Sequence, residues 1–117
     1  MFQDSLNRII RQCDGAVAGV VMGFDGIAVE TVSHDAAVDV SKVGMEFSFV
    51  LGQVRKAADL LDAGTLEEVS IRSSRMTFLI RVLNEEYFLG VAMQPGANFG
   101  KGRFLMRQAV PELLAQF

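Results

Sequence analysis

Between Val40 and Leu61 the apolar residues recur at helical spacing, and this is the longest periodic stretch in the chain. Val40, Val43, Phe47, Val50, Leu51, Val54, Ala57, Ala58 and Leu61 fall on one broad stripe at 3.6 residues per turn. Asp39 or Ser41 can cap its start, and Ala63-Gly64 marks its end. A long helix with one greasy side must lie on something apolar, and the flanking sequence supplies a sheet. Upstream, Ala16 to Met22 and Ile27 to Val32 are β-friendly runs. The Gly23-Phe24-Asp25-Gly26 segment joins them, and Asp-Gly readily takes the positive φ angles of a tight hairpin. Downstream, Leu66 to Ser73, Met76 to Leu83 and Tyr87 to Gln94 read as a meander with turns at Ser73-Ser74 and Asn84-Glu85-Glu86.

The two ends complete the pattern. Phe2, Leu6, Ile9, Ile10 and Cys13 predict an amphipathic first helix that Asp14-Gly15 stops. After the break at Pro95-Gly96-Ala97-Asn98, Phe104, Leu105, Ala109, Leu113 and Leu114 predict a closing helix. Pro111 should kink or restart it, because proline lacks an amide donor and crowds the preceding turn. The order α-β-β-α-β-β-β-α, with five antiparallel strands and helices on both faces, is an α+β three-layer domain. With 117 residues, half of them apolar, residues 1–117 form a single domain with a real core.

Charge narrows the function. Eleven Lys and Arg against fourteen Asp and Glu leave a net −3 without a basic block, which argues against nucleic acid or an anionic membrane and for protein partners. The lone Cys13 cannot form an internal disulfide, and no segment has the apolar length of a membrane span or the layout of a signal peptide. A cytoplasmic location is the expectation.

Chemistry finds little footing. The segment Gly96-Ala97-Asn98-Phe99-Gly100-Lys101-Gly102 has three residues before its Gly-Lys pair where a P-loop needs four, and Gly102 stands where Ser or Thr would hold magnesium. A weak anion site at the 95–102 loop is the remaining option there, since a helix N-terminus offers free amides. His34 stands alone in a polar loop, without companions at metal-ligand spacing. Cys13 sits on an apolar stripe, and without a second histidine or a nucleophile elbow no triad can be drawn. Glu67-Glu68 and Glu85-Glu86 point to opposite sides or to solvent, and make no acid and base couple. The expectation is therefore no catalytic residues, no cofactor and no metal.

The second helix carries more apolar and small surface than a sheet alone needs. Met45, Phe49 and Leu60 lie across from Val43 and Val54, while Gly44, Ser48 and Gly52, spaced by four, form a strip that would allow close approach by another helix. Each interior glycine costs roughly 1 kcal/mol relative to alanine, so a packing gain should offset it. With Lys42, Gln53 and Lys56 as a polar rim, Gly44, Met45, Ser48, Phe49, Gly52, Lys56 and Leu60 make a candidate partner or dimer interface. Val69, Ser70, Ile71 and Arg72, on the strand from Leu66 to Ser73, make a second one: that strand either adds to a copy of itself or is guarded by Glu67, Glu68 and Arg72.

The element order, together with Gly19-Val20-Val21-Met22-Gly23-Phe24-Asp25-Gly26-Ile27-Ala28-Val29-Glu30 and Gly100-Lys101-Gly102-Arg103-Phe104-Leu105-Met106-Arg107, resembles the roadblock family, which includes the dynein light chains of that name. Bacterial MglB-type regulators of a cell-polarity GTPase are the members it looks most like. The resemblance implies a profilin-like α/β/α domain and a homodimer in which the third strands pair edge to edge and the long second helices lie side by side. It also implies that a small Ras-like GTPase docks on those paired helices, and that the chain is a non-enzymatic regulator. MglB-type proteins carry terminal extensions for which this chain has little room, so binding is implied more directly than stimulation of GTP hydrolysis. Two other functions stay open: a scaffold subunit that binds regardless of nucleotide, and a small-ligand sensor with Met22, Met76, Met93 and Met106 around a pocket.

Overall fold

In the computed structural model, which describes residues 1–117, the chain runs α1 (Phe2–Gln12), β1 (Ala16–Gly23), β2 (Ala28–Ser33), α2 (Val40–Leu60), β3 (Glu68–Arg72), β4 (Thr77–Val82), β5 (Tyr87–Met93) and α3 (Phe99–Leu114). The strands form one antiparallel sheet in the order β2-β1-β5-β4-β3. β2 and β3 are therefore its two edges, and the hydrophobic β1, β5 and β4 fill its centre.

The turns follow from the residues that make them. In the first hairpin the Gly26 amide donates to the Gly23 carbonyl at 2.9 Å, Gly26 takes φ +84°, and Asp25 Oδ1 accepts from the Ile27 amide at 3.1 Å. Because strand side chains alternate, the sheet has two apolar faces. On one face α1 and α3 cover Val21, Leu79, Leu89, Val91 and Met93, while on the other α2 lies over Val20 and Met22. Phe78, Ile80 and Phe88 belong to that second core.

Pro111 does not break the last helix. α3 runs through it to Leu114: Pro111 gives up only its own amide, and its carbonyl still accepts from the Ala115 amide at 3.1 Å. The restart that the sequence allowed at Pro111 is therefore not seen.

Candidate functional site

α2 holds its own sheet by a narrow stripe and leaves apolar side chains exposed on its flanks. Asp39 caps it, its carboxylate accepting from the Lys42 amide at 3.1 Å. The residues it buries are Val40, Gly44, Ser48 and Leu51, a narrow stripe at spacings of four, four and three. Arg55 extends that stripe. Its guanidinium lies 3.8 Å from the centre of the Phe24 ring, and Nη1 donates to the Glu85 carbonyl at 2.8 Å, tying the helix to both hairpin tips at that end of the sheet.

This stripe corrects two sequence assignments. Gly44 and Ser48, expected at a partner interface, face the sheet of their own protomer. A Cβ at Gly44 would sit 3.0 Å from the Met22 Cε and Sδ atoms, and Ser48, 2% exposed, donates its hydroxyl to the Met45 carbonyl at 2.6 Å. Their smallness lets the helix approach β1, where close packing against Met22 is the gain that offsets the glycine. Conversely, Val50, Ala57 and Leu61, assigned to the core stripe, are exposed, because α2 packs chiefly on β1 and β2 and reaches β4 through Phe47 on Phe78.

Two apolar flanks remain on α2. The β4-ward flank carries Val43, Phe47, Val50 and Val54; Phe47 stacks on Phe78 with ring centroids 5.6 Å apart, and Val50 is 49% exposed. Beside it Val69 and Ile71 of β3 are only half covered, and the outer edge of β3 has no strand partner. Sequence reasoning missed this flank because it read those valines as core. The hairpin-ward flank carries Met45, Phe49, Gly52 and Lys56. Met45 approaches Gly26, Phe49 is 70% exposed, and a Cβ added at Gly52 would meet nothing within 4 Å. Leu60, beyond Arg55, is exposed as well.

The second candidate segment is likewise divided. Val69 and Ile71 face α2, whereas Ser70 and Arg72 face the α3 side and are exposed. Arg72 lies over the Phe99 ring, and Glu67 and Glu68 both approach Arg81, at 3.7 and 3.9 Å. Those pairs guard the start of the strand and leave its backbone edge open.

The other groups that the sequence singled out have structural surroundings of their own. Burial pushes the Cys13 thiol above its ordinary pKa, with Lys101 pulling it down and Asp14 raising it. His34 Nε2 contacts Asn7 Oδ1 at 2.8 Å in an exposed loop. Asn98 caps α3 by accepting from the Lys101 amide at 3.1 Å, taking a donor that an anion at the 95–102 loop would need. Met22, Met93 and Met106 fill the packed core. No three His, Cys, Asp or Glu side chains gather as a metal site, and no helix is long and apolar enough to cross a membrane.

The chain is similar to MglC from Myxococcus xanthus, with 37% identity over 99% of this chain and 98% of that one and a TM-score of 0.72. It also superposes on a Roadblock/LC7 domain from Streptomyces avermitilis (14% identity, 94% and 95% of the two chains, TM-score 0.76). A third match is the gliding protein MglB from Thermus thermophilus (16% identity, 92% and 82%, TM-score 0.80). At such low identity the last two establish the fold alone. No protein-family model matches the chain, and no curated protein matches it.

Proposed function

The chain belongs to the roadblock family, and on that footing we propose that it is a non-enzymatic homodimeric regulator that binds a small Ras-like GTPase. In this reading the two flanks of α2 have separate tasks. The outer edge of β3 pairs with that of a second copy across a two-fold axis, and Val50, Val54, Val69 and Ile71 are covered by their counterparts. The hairpin-ward flank, with Met45, Phe49, Gly52 and Lys56, stays open on each helix for the GTPase. Leu60 extends it.

The observation that carries the reading is the unpaired edge of β3 lying beside a half-exposed valine flank of α2. A strand edge and an apolar helix flank together offer both backbone pairing and burial, the two ingredients of a stable interface. Regulation then follows from differential affinity: a partner that binds one nucleotide state better shifts the equilibrium by that difference.

Two variants test it. Val50→Arg should convert the dimer to monomer by sedimentation, and Phe49→Arg should leave the dimer intact while weakening capture of the cognate GTPase. A dimeric Val50→Arg variant would overturn the assembly; equal capture of the GTP- and GDP-loaded partner would favour the nucleotide-independent scaffold instead.

A further inference from the structure

On the opposite face of the sheet from α2, the outer side of α3 gathers cations that nothing in the protomer neutralises. Lys101, Arg103 and Arg107 project from α3, Arg72 stands beside its start, and none of the four makes an ion pair. From Tyr87 to Pro111 the sequence contains no acidic residue, although the chain as a whole carries −3. Glu112, next along α3, is engaged by Ser5 and Arg8, and Glu68, on the same sheet face as Arg72, approaches Arg81 at 3.9 Å.

This placement opposes local helix energetics. The first turn of α3 holds Lys101 and no acid, so a positive charge sits at the positive end of the helix dipole. Aromatic rings are interleaved with the cations. Arg72 lies 5.1 Å from the Phe99 ring centre, and Arg107 lies 6.0 Å from that of Phe104, which is 50% exposed. Guanidinium groups held over rings are partly pre-oriented, and their planar donor forks match carboxylates better than an ammonium does.

We propose that this face binds an acidic protein segment, with carboxylates against Arg72, Arg103 and Arg107 and an apolar side chain against Phe104. Charge complementarity selects the occupant. Three guanidinium groups along a helix side that also carries the half-exposed Phe104 suit a short stretch of Asp and Glu containing a leucine, whereas the acidic remainder of the chain repels a broad anionic surface such as a bilayer. The site shares no residue with either flank of α2, but Arg72 stands on β3, the strand that the proposed dimer pairs, so Arg103 and Arg107 are the positions that test it apart from that reading.

Fluorescence anisotropy of the full chain with a labelled Glu/Leu peptide measures the interaction, with a Lys/Leu peptide and phosphatidylserine vesicles as parallel arms. The Glu/Leu peptide should saturate and lose affinity as salt rises. Arg103→Glu with Arg107→Glu should weaken it at least about tenfold, and Phe104→Ala severalfold, with circular dichroism unchanged. Lys at both arginine positions should recover only part of the affinity. No saturable binding of the Glu/Leu peptide, equal binding by the charge-reversed variant, or binding of vesicles alone would each overturn the proposal.

Discussion

Gly44 and Gly52 occupy the same helix two turns apart, and replacing each with alanine should move stability in opposite directions. At Gly52 the added methyl meets nothing within 4 Å, so only the backbone effect remains. Alanine in a helix interior is favoured over glycine by about 0.8–1 kcal/mol, which for a domain of this length corresponds to a rise in Tm of about 3 to 6 °C. At Gly44 the same propensity gain is set against a methyl 3.0 Å from the fully buried Met22 side chain and 3.4 Å from Val20 Cγ1. Overpacking of that kind costs about 1–3 kcal/mol, and Met22 can yield only partly because β1 is central. The expected net is between no change and a loss of about 2 kcal/mol. Thermal and urea unfolding, run at several protein concentrations with sedimentation alongside, measures both. If Gly52→Ala lowered Tm at every concentration with the mass unchanged, the claim that this flank is open in the protomer would be wrong. If it stabilised the isolated protein yet weakened GTPase capture, the flank would be both open and used.

Gly90→Ala should be severe: its Cβ would fall 2.3 Å from Phe78 Cζ in the sheet centre, and a loss of about 1–3 kcal/mol in urea unfolding is expected. Asp39→Ala removes the cap of α2 and should cost about 1 kcal/mol, read as a lower urea midpoint at constant slope. Hydrogen bonds from Ser5 and Arg8 hold Glu112 below its ordinary carboxylate pKa of 4.5. Since the folded value is the lower one, this stabilisation is present above the unfolded pKa and is lost as pH falls through the folded one. Unfolding followed from pH 7 downward should therefore show a shallower acid limb in Glu112→Gln than in the parent protein.

The fold was legible because each element carries its own period and its own stop. The Asp25-Gly26 turn and the Asp39 cap are local signals, readable without knowledge of the rest of the chain. Pro111 misled because a proline removes one amide donor without having to end the helix, as the Ala115 amide bonded to the Pro111 carbonyl shows. The candidate interface was legible only in part. Hydropathy says how much apolar surface a helix has, but division of that surface between sheet and solvent depends on which strands lie beneath it. That information sits in the pairing of β1 with β5, far away in sequence.

Length makes the same point quantitatively. α2 has 21 residues, about 31 Å of helix, while β1 has 8, about 27 Å of strand, and the helix packs chiefly on β1 and β2. A helix longer and greasier than its support must expose apolar side chains at its flanks and overhanging end, which is where Val50, Phe49, Leu60 and Leu61 stand. Burying them within the protomer would require another layer, and the chain has already committed α1 and α3 to the opposite face. The surplus is thus a consequence of topology. Mutating one flank should leave the other's binding intact, because the stripe through Gly44, Ser48 and Leu51 fixes the helix to its sheet independently of both.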